Sequence, residues 1–349
     1  MPSSQPCIAV DAMGGDIGPS VAVPAAVEAV NAGIKVILVG DEAHIHMELD
    51  KLKATDMGIE VVHASEVVNM DDKPADALRR KKDSSIQVAC RLVKEGKADG
   101  VVSAGNSGAT VACGMFILGR IKGVERPALA GVLPTEKEPC ILMDVGANVD
   151  SKASHLAQFG IMADVMARNV LGRENPKVGL LSIGEEEGKG NIMVKEAYEL
   201  LKKTNLRFIG NVEGRDIFTG DVDIVVCDGF VGNVTLKLAE GLAKSLGRIL
   251  KGELKSDPIS RVGAMLSLRA FKSFSQVIDY AEYGGAMLLG LRSVAIVCHG
   301  ASNTKALFKA ISAGAKYVET EANEHLIKEL EAQNKLSQFR RASKGQASS

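Results

Sequence analysis

The residue types best suited to chemistry in this chain are Asn, Asp, Ser, Lys and Arg, set among small residues where apolar runs end. Five segments share the pattern: 101–108 (Val-Val-Ser-Ala-Gly-Asn-Ser-Gly), 142–148 (Leu-Met-Asp-Val-Gly-Ala-Asn), 180–191, 208–216 and 225–233. Glycine lets backbone N–H groups come close to an anion, and a helix starting at such a loop adds partial positive charge. Amide and ammonium donors in the same loops can offset the charge that develops on a carbonyl oxygen during acyl transfer. A parallel sheet with this many polar loops at its strand ends builds one crevice along a single rim, where ligands bind. The pattern points to a small oxyanion.

Every loop also has a plain structural reading. Asp11, Gly14, Gly15 and Asp16 form either an anion-facing turn or an ordinary strand-to-helix turn. The turn is not G-x-G-x-x-G, so the dinucleotide fingerprint is missing. Ser103, Gly105, Asn106, Ser107 and Gly108 make a phosphate cradle without a lysine, or else Asn106 or Ser107 merely caps a helix. Asp144 and Asn148 are further candidates for contact with substrate.

The run Glu185–Glu187 reads as solvated charge. Lys189, between two glycines, and Asn191 are donors of the kind that hold a tetrahedral anion. Arg215 offers a fork for phosphate or pairs with Glu213 or Asp216. Asn233 caps the helix that carries Lys237, or faces a ligand beside Asp228. His299, after the last strand, is placed for proton work or anion binding, or is structural. No nucleophile elbow, metal-ligand spacing or Walker motif is present, so neither metal nor cofactor is expected.

The elements that must position these groups alternate. Strand-like runs fall at 7–11, 35–40, 60–63, 100–103, 129–133, 140–145, 178–182, 206–210, 224–228 and 293–298. Helical patterns lie between them at 19–31, 44–53, 83–95, 109–118, 155–171, 193–203 and 234–247, with a long helical tail over 305–335. The strands are continuously apolar, as expected when helices cover both faces. The fold expected is a three-layer α/β/α domain over 1–335 on a mostly parallel, doubly wound sheet. Run 140–145 pairs antiparallel with 129–133 across the turn at 135–139.

Two segments break the rhythm. Residues 69–82 are polar and read as an exposed loop entering a helix. Residues 251–283 form a helical arm in which Asp257 can cap and Pro258 can start a helix. On a helical wheel Ile259, Val262, Leu266, Ala270 and Phe274 share one arc, while Arg261, Arg269 and Lys272 share another. Met265 and Leu268 spoil the division. Residues 336–349 have the composition of a disordered tail.

Composition excludes some partners. The 349 residues are 46% hydrophobic and carry a net charge of −1, with 4% aromatic residues and no Trp. Such a chain has neither the basic field nor the stacking platforms of a nucleic-acid binder. None of the six cysteines forms a C-x-x-C pair, and most sit in apolar runs, as buried hydrophobes in a reducing cytosol do. No signal peptide precedes the first strand, and no apolar stretch reaches 18 residues.

Taken together and in order, Asp11–Asp16, Ser103–Ala109, Asp144–Asn148, Gly184–Asn191, Gly210–Asp216, Cys227–Asn233, Tyr283–Ala286 and His299–Gly300 resemble the bacterial phosphate acyltransferase family PlsX. The resemblance runs from about Ile8 to Leu330. Ser107, Ser182 and Met287 depart mildly from the family's commoner Thr, Asn and Pro. It implies transfer of a long acyl chain from acyl carrier protein to inorganic phosphate. It also implies a fold like that of phosphotransacetylases and isocitrate dehydrogenase, a homodimer, and association with the inner face of the plasma membrane. A membrane acyltransferase that acylates glycerol 3-phosphate would then consume the acyl phosphate. On this resemblance the Ser103–Gly108 loop and Lys189 hold phosphate, Asn191 and Asn233 stabilise the oxyanion, and His299 or Lys237 assists the leaving thiolate. Ile259, Val262, Leu266 and Phe274 are the residues expected at the membrane, or else the arm is a dimer-packing or acyl-tunnel helix. The competing readings are a short-chain acyl-CoA phosphotransacylase and a nucleotide- or phosphate-binding protein without transferase activity.

Overall fold

The computed structural model describes residues 5–278 and 284–332. The end of the arm (279–283) and the tail (336–349) lie outside the described residues. In chain order the elements are β1 (Cys7–Asp11), α1 (Pro19–Asn31), β2 (Lys35–Gly40), α2 (Glu42–Lys51), β3 (Glu60–His63), α3 (Pro74–Arg80), α4 (Ser85–Lys94) and β4 (Gly100–Ser103). Next come α5 (Ser107–Cys113), continued by a π-helical turn at Gly114–Leu118, then β5 (Ala128–Leu133), β6 (Cys140–Met143), α6 (Ala153–Asn169), β7 (Lys177–Leu181) and α7 (Ile192–Leu201). The rest are β8 (Arg207–Val212), β9 (Ile224–Val226), α8 (Gly229–Ser256), α9 (Pro258–Leu266), α10 (Leu268–Ile278), β10 (Ala286–Leu289), β11 (Val294–Val297) and α11 (Thr304–Glu319).

One eleven-stranded sheet holds them together, in the order β3-β2-β1-β4-β11-β10-β5-β6-β9-β7-β8. Its strands read as unbroken apolar runs because both faces are covered. In β1, Ile8 and Val10 enter one core with α1, α6 and α11, while Ala9 enters a second core with α4 and α5. This is the three-layer α/β/α arrangement.

The sheet departs from the expected simple winding in one respect. β10 is antiparallel to both β11 and β5, whereas the antiparallel pairing of β5 with β6 across the 135–139 turn is as expected. From β6 onward the strands β9, β7 and β8 run parallel to β6, hence opposite to β1, β4 and β11. The polar loops therefore do not share one rim. Those after β1, β4 and β11 open at one edge, and those after β6, β7, β8 and β9 open at the other.

Several boundaries also differ. The polar stretch 69–82 contains α3, started by Pro74. The helix after β9 begins at Gly229, not at 234, and runs for 28 residues to Ser256. Asp257 then caps α9, accepting from the Ser260 N–H at 2.9 Å, with Pro258 in the first turn. The long C-terminal helix breaks at Glu321, whose φ is 50°, before helix resumes over 322–332. No helix among the described residues is long and apolar enough to cross a membrane.

Candidate active site

At the first edge, Asp11 ends β1 almost fully buried. Its carboxylate accepts the Gly14 N–H at 3.1 Å and the Ser103 hydroxyl at 2.7 Å, and that hydroxyl in turn accepts the Gly105 N–H at 3.0 Å. Desolvation raises the Asp11 pKa, opposed by its bonds to Ser85, Ser103 and the turn backbone. Gly14 lies so close to the next loop that a Cβ there would meet the Gly105 nitrogen at 2.7 Å. The Asp16 N–H donates to the Gly300 carbonyl at 2.9 Å, which brings in the loop after β11. Three glycine-bearing loops are thus welded around one buried carboxylate.

That weld consumes donors expected to face a ligand. The Ser103 hydroxyl is spent on Asp11. Asn106 is a cap and a clamp: its Oδ1 accepts the Ala109 N–H at 3.0 Å, and its Nδ2 donates to the carbonyls of Asn69, Met70 and Asp72. What remains for an anion is the exposed Ser107 hydroxyl, the loop backbone and His299. Burial lowers the His299 pKa, with Lys237 and Lys244 acting in the same direction against Glu240 and Asp16. Its Nδ1 accepts the Ala301 N–H at 3.1 Å, so the neutral ring carries its proton on Nε2. At pH 7 His299 is a hydrogen-bond donor, not an acid with a proton to spare. A Ser103→Ala substitution should strand the Gly105 N–H and one Asp11 oxygen, costing ~1–3 kcal/mol in urea unfolding. It should also raise KM for phosphate while leaving KM for the acyl donor unchanged.

At the second edge, buried Asp144 plays the part that Asp11 plays at the first. It accepts the N–H groups of Leu129, Gly146, Ala147 and Asn148 and the Asn148 side-chain amide, all at 2.7–3.1 Å. The Asp144 carboxylate and the Asn148 Nδ2 are both engaged, since that Nδ2 also donates to the Pro127 carbonyl, and the Asn148 backbone carbonyl receives the Gly229 N–H. Both shape the loop on which α8 begins. Asp228, not Asn233, caps that helix, accepting the N–H groups of Phe230 and Val231 at 3.0 Å. Relieved of capping, Asn233 stands exposed beside Gly146.

The loops after β7 and β9 flank a crevice of about 470 Å³ between α6, α7 and the start of α8. Leu156, Leu181, Ile183, Val194 and Val231 make it apolar; Ser182, Asn191 and Asp228 are its polar points. Asn191 serves both expected roles through different atoms. Its Oδ1 caps α7 by accepting the Val194 N–H at 2.9 Å, which leaves its Nδ2 as a donor. The buried Ser182 hydroxyl has no partner among the described residues and was missed by the sequence reading; its signal was a polar residue one step beyond an apolar strand.

Lys189 is exposed, and its ammonium has no partner among the described residues. Two of the adjacent acids are engaged elsewhere: Glu185 with Arg215 at 3.4 Å and Glu187 with Lys202 at 2.8 Å. Arg215 lies among Glu185, Glu213 and Asp216, so the ion-pair reading of this residue is the one the geometry favours. Lys237, paired with Glu240 at 3.1 Å, lies on α8 close enough to His299 to shift its titration. α8 therefore starts at one set of loops and passes beside the other.

The environment of the cysteines disfavours the thiolate that a nucleophile needs. Five of the six are buried, and burial pushes the thiols up, to about 12 for Cys113, Cys140 and Cys298. No cluster of metal-ligating side chains occurs among the described residues.

The fold is that of the phosphotransacetylases. The phosphotransacetylase of Streptococcus pyogenes superposes with a TM-score of 0.63 at 19% identity, over 92% of this chain and 94% of that one. EutD phosphotransacetylase from Staphylococcus aureus gives 0.61 at 19% identity, over 89% and 94%. Sequence narrows the class further. The family model described as fatty acid synthesis protein matches residues 7–325. A phosphate acyltransferase of Nitratidesulfovibrio vulgaris (strain DP4) is 61% identical over 337 residues, 96% of this chain and 98% of that protein. Another, from Lawsonia intracellularis, is 60% identical over 335 residues, 95% and 96% of the two chains. The chain belongs to this phosphate acyltransferase family, PlsX, whose enzymes move an acyl group onto phosphate.

Proposed function

We propose that the acyl group is a long fatty chain delivered as an acyl carrier protein thioester, and that the acyl phosphate formed serves phospholipid synthesis. The observation that carries acyl transfer to phosphate is full-length similarity to phosphate acyltransferases. The donor is inferred from the apolar crevice and its rim, where Ile183, Ile192 and Phe230 stand exposed without apolar cover.

In this reading α8, which starts at the second-edge loops and carries Lys237 past His299, joins the two edges, and the first-edge loops, with Ser107, His299 and Lys237, hold orthophosphate. Lys189, Asn191 and Asn233 serve the thioester carbonyl at the second. A phosphate oxygen attacks the carbonyl carbon, forming a C–O bond and a tetrahedral oxyanion. The oxyanion collapses, the C–S bond breaks, and the departing thiolate takes a proton from solvent. Phosphate is itself the nucleophile at neutral pH, so no covalent enzyme intermediate and no cofactor is needed. Holding both reactants still supplies much of the rate.

Mixing the protein with acyl carrier protein thioester and phosphate, then trapping product as its hydroxamate, tests this directly. Hydroxamate from a CoA thioester but not from the carrier thioester would replace the donor.

The arm has a place in the same reading. On α9, Ile259 and Leu266 are each 84% exposed and Val262 is also uncovered, as is Phe274 on α10. We assign this surface to a lipid interface in the cytoplasm, where an amphipathic face with cationic flanks binds. The stripe Leu238, Leu242 and Leu246 on α8 is assigned to a second copy in a homodimer. A membrane enzyme that acylates glycerol 3-phosphate would take the product at that surface. A Leu266→Glu/Phe274→Glu variant should lose flotation with anionic liposomes while keeping hydroxamate formation in solution; unchanged flotation refutes the assignment.

A further inference from the structure

The donor reading leaves open where a carrier protein docks, and the exposed charge of the molecule answers unevenly. The whole chain carries −1, yet between positions 79 and 97 seven Lys and Arg residues stand against two acids. Some of these cations are spent: Lys81 on Asp72, and Arg91 on the Lys82 carbonyl. Arg79, Lys82 and Lys94 are exposed and have no ionic partner among the described residues. Beside them a groove of about 490 Å³ runs between α4 and the π-helical turn, lined by Gln87, Arg91, Lys94, Glu95, Phe116 and Ile117. Phe116 is 71% exposed at its mouth. Cations around one uncovered aromatic ring complement an acidic helix with a small apolar face.

We propose that this α3–α4 surface docks the carrier protein, an acidic helical partner, while its prosthetic arm reaches the reaction site. The inference rests on the carrier-thioester reading of the donor. It is supported by how the surface is fastened to the anion loops. The Gln87 amide donates to the carbonyls of Ala77, Leu78 and Lys81 at 3.0–3.1 Å, tying α3 to α4. Asn106 clamps the chain just ahead of α3, and Pro74 fills the space that a Cβ on Gly108 would need. Ser85, in the first turn of α4, lies near enough to Asp11 to oppose the rise in its pKa. From Ser85 to Lys94 is ten residues, about 15 Å of helix, a span suited to a flexible arm rather than to direct contact. The other cationic stretch, on α9 and α10, suits this partner less well. Arg261 there is bonded to the Lys255 carbonyl, and exposed Ile259 and Leu266 flank it.

The test compares Arg79→Glu/Lys82→Glu/Lys94→Glu with the unaltered protein on two donors bearing the same acyl group, carrier protein and uncharged N-acetylcysteamine. These side chains hold no partner, so the fold should survive, and a melting curve checks that. The expected result is about a tenfold loss in kcat/KM on the carrier donor, in low salt, with turnover of the small thioester unchanged. High salt should bring the unaltered protein down towards the variant on the carrier donor alone. Equal losses on both donors, or full carrier activity, would overturn the proposal, as would lost binding to anionic vesicles with carrier kinetics intact. If the unaltered protein uses only the small thioester, the donor reading itself falls, and the docking surface with it.

Discussion

Replacing Lys189 with Ala should cut kcat by about 10²–10³, the loss seen when one preorganised donor to a developing oxyanion is removed. The melting temperature should hardly move, because the ammonium is exposed and supports nothing in the resting protein. The surrounding charges make the effect specific. Three glutamates precede Lys189, and two of them are bound to Arg215 and Lys202 and so drawn away from its ammonium. Deleting the cation also leaves a net-acidic loop where an anion must form. The effect on KM separates two roles. If Lys189 holds phosphate, KM for phosphate rises with the loss; if it serves the carbonyl at the crevice, kcat falls and KM for phosphate stays. Turnover within a few-fold of normal would remove Lys189 from the chemistry altogether.

The split between those roles was not legible in the sequence, though most of the fold was. Unbroken apolar strands such as Ile8–Val10 and Ile224–Val226 declare burial on both faces, and that sufficed for the three layers. Strand direction was legible only at the β5–β6 hairpin, where the short 135–139 turn leaves no room for a parallel crossover. β10 is four residues long, follows two glycines of positive φ, and is antiparallel on both sides, so the reversal that sends the later loops to the far edge is made at the β5–β6 hairpin. Candidate residues were found by type, and types do not say which atoms are already engaged. Asp11, Ser103, Asn106 and Asp144 sit where an anion site would put them, yet their polar atoms are used to hold the loops in place. Asn191 shows the limit of either reading alone, since one atom of its amide caps a helix and the other is left to act. Asn233 went the opposite way: Asp228 took the cap, and the Asn233 amide is left without a partner among the described residues.

Replacing Gly232 with Ala should be the most damaging single methyl group that can be added to α8. A Cβ at that position would lie 1.9 Å from the Asp144 carbonyl oxygen and 2.9 Å from the Cys227 sulfur. Neither neighbour can yield cheaply. The oxygen belongs to backbone pinned by five hydrogen bonds to the Asp144 carboxylate, and Cys227 is buried at a strand end. The helix must lift instead, which should cost more than the ~1–3 kcal/mol of ordinary overpacking and lower the urea midpoint accordingly. Gly241 and Gly247 supply the internal comparison on the same helix. Nothing lies within 4 Å of a Cβ at either position, so Ala there should stabilise by about 0.5–1 kcal/mol through helix propensity. If all three substitutions behaved alike, the close docking of α8 on the Asp144 loop would be wrong. The consequence reaches the chemistry as well. Asn233 is the next residue and Lys237 follows one turn later, so any Gly232→Ala protein that folds should still be catalytically crippled. Gly241→Ala should work normally.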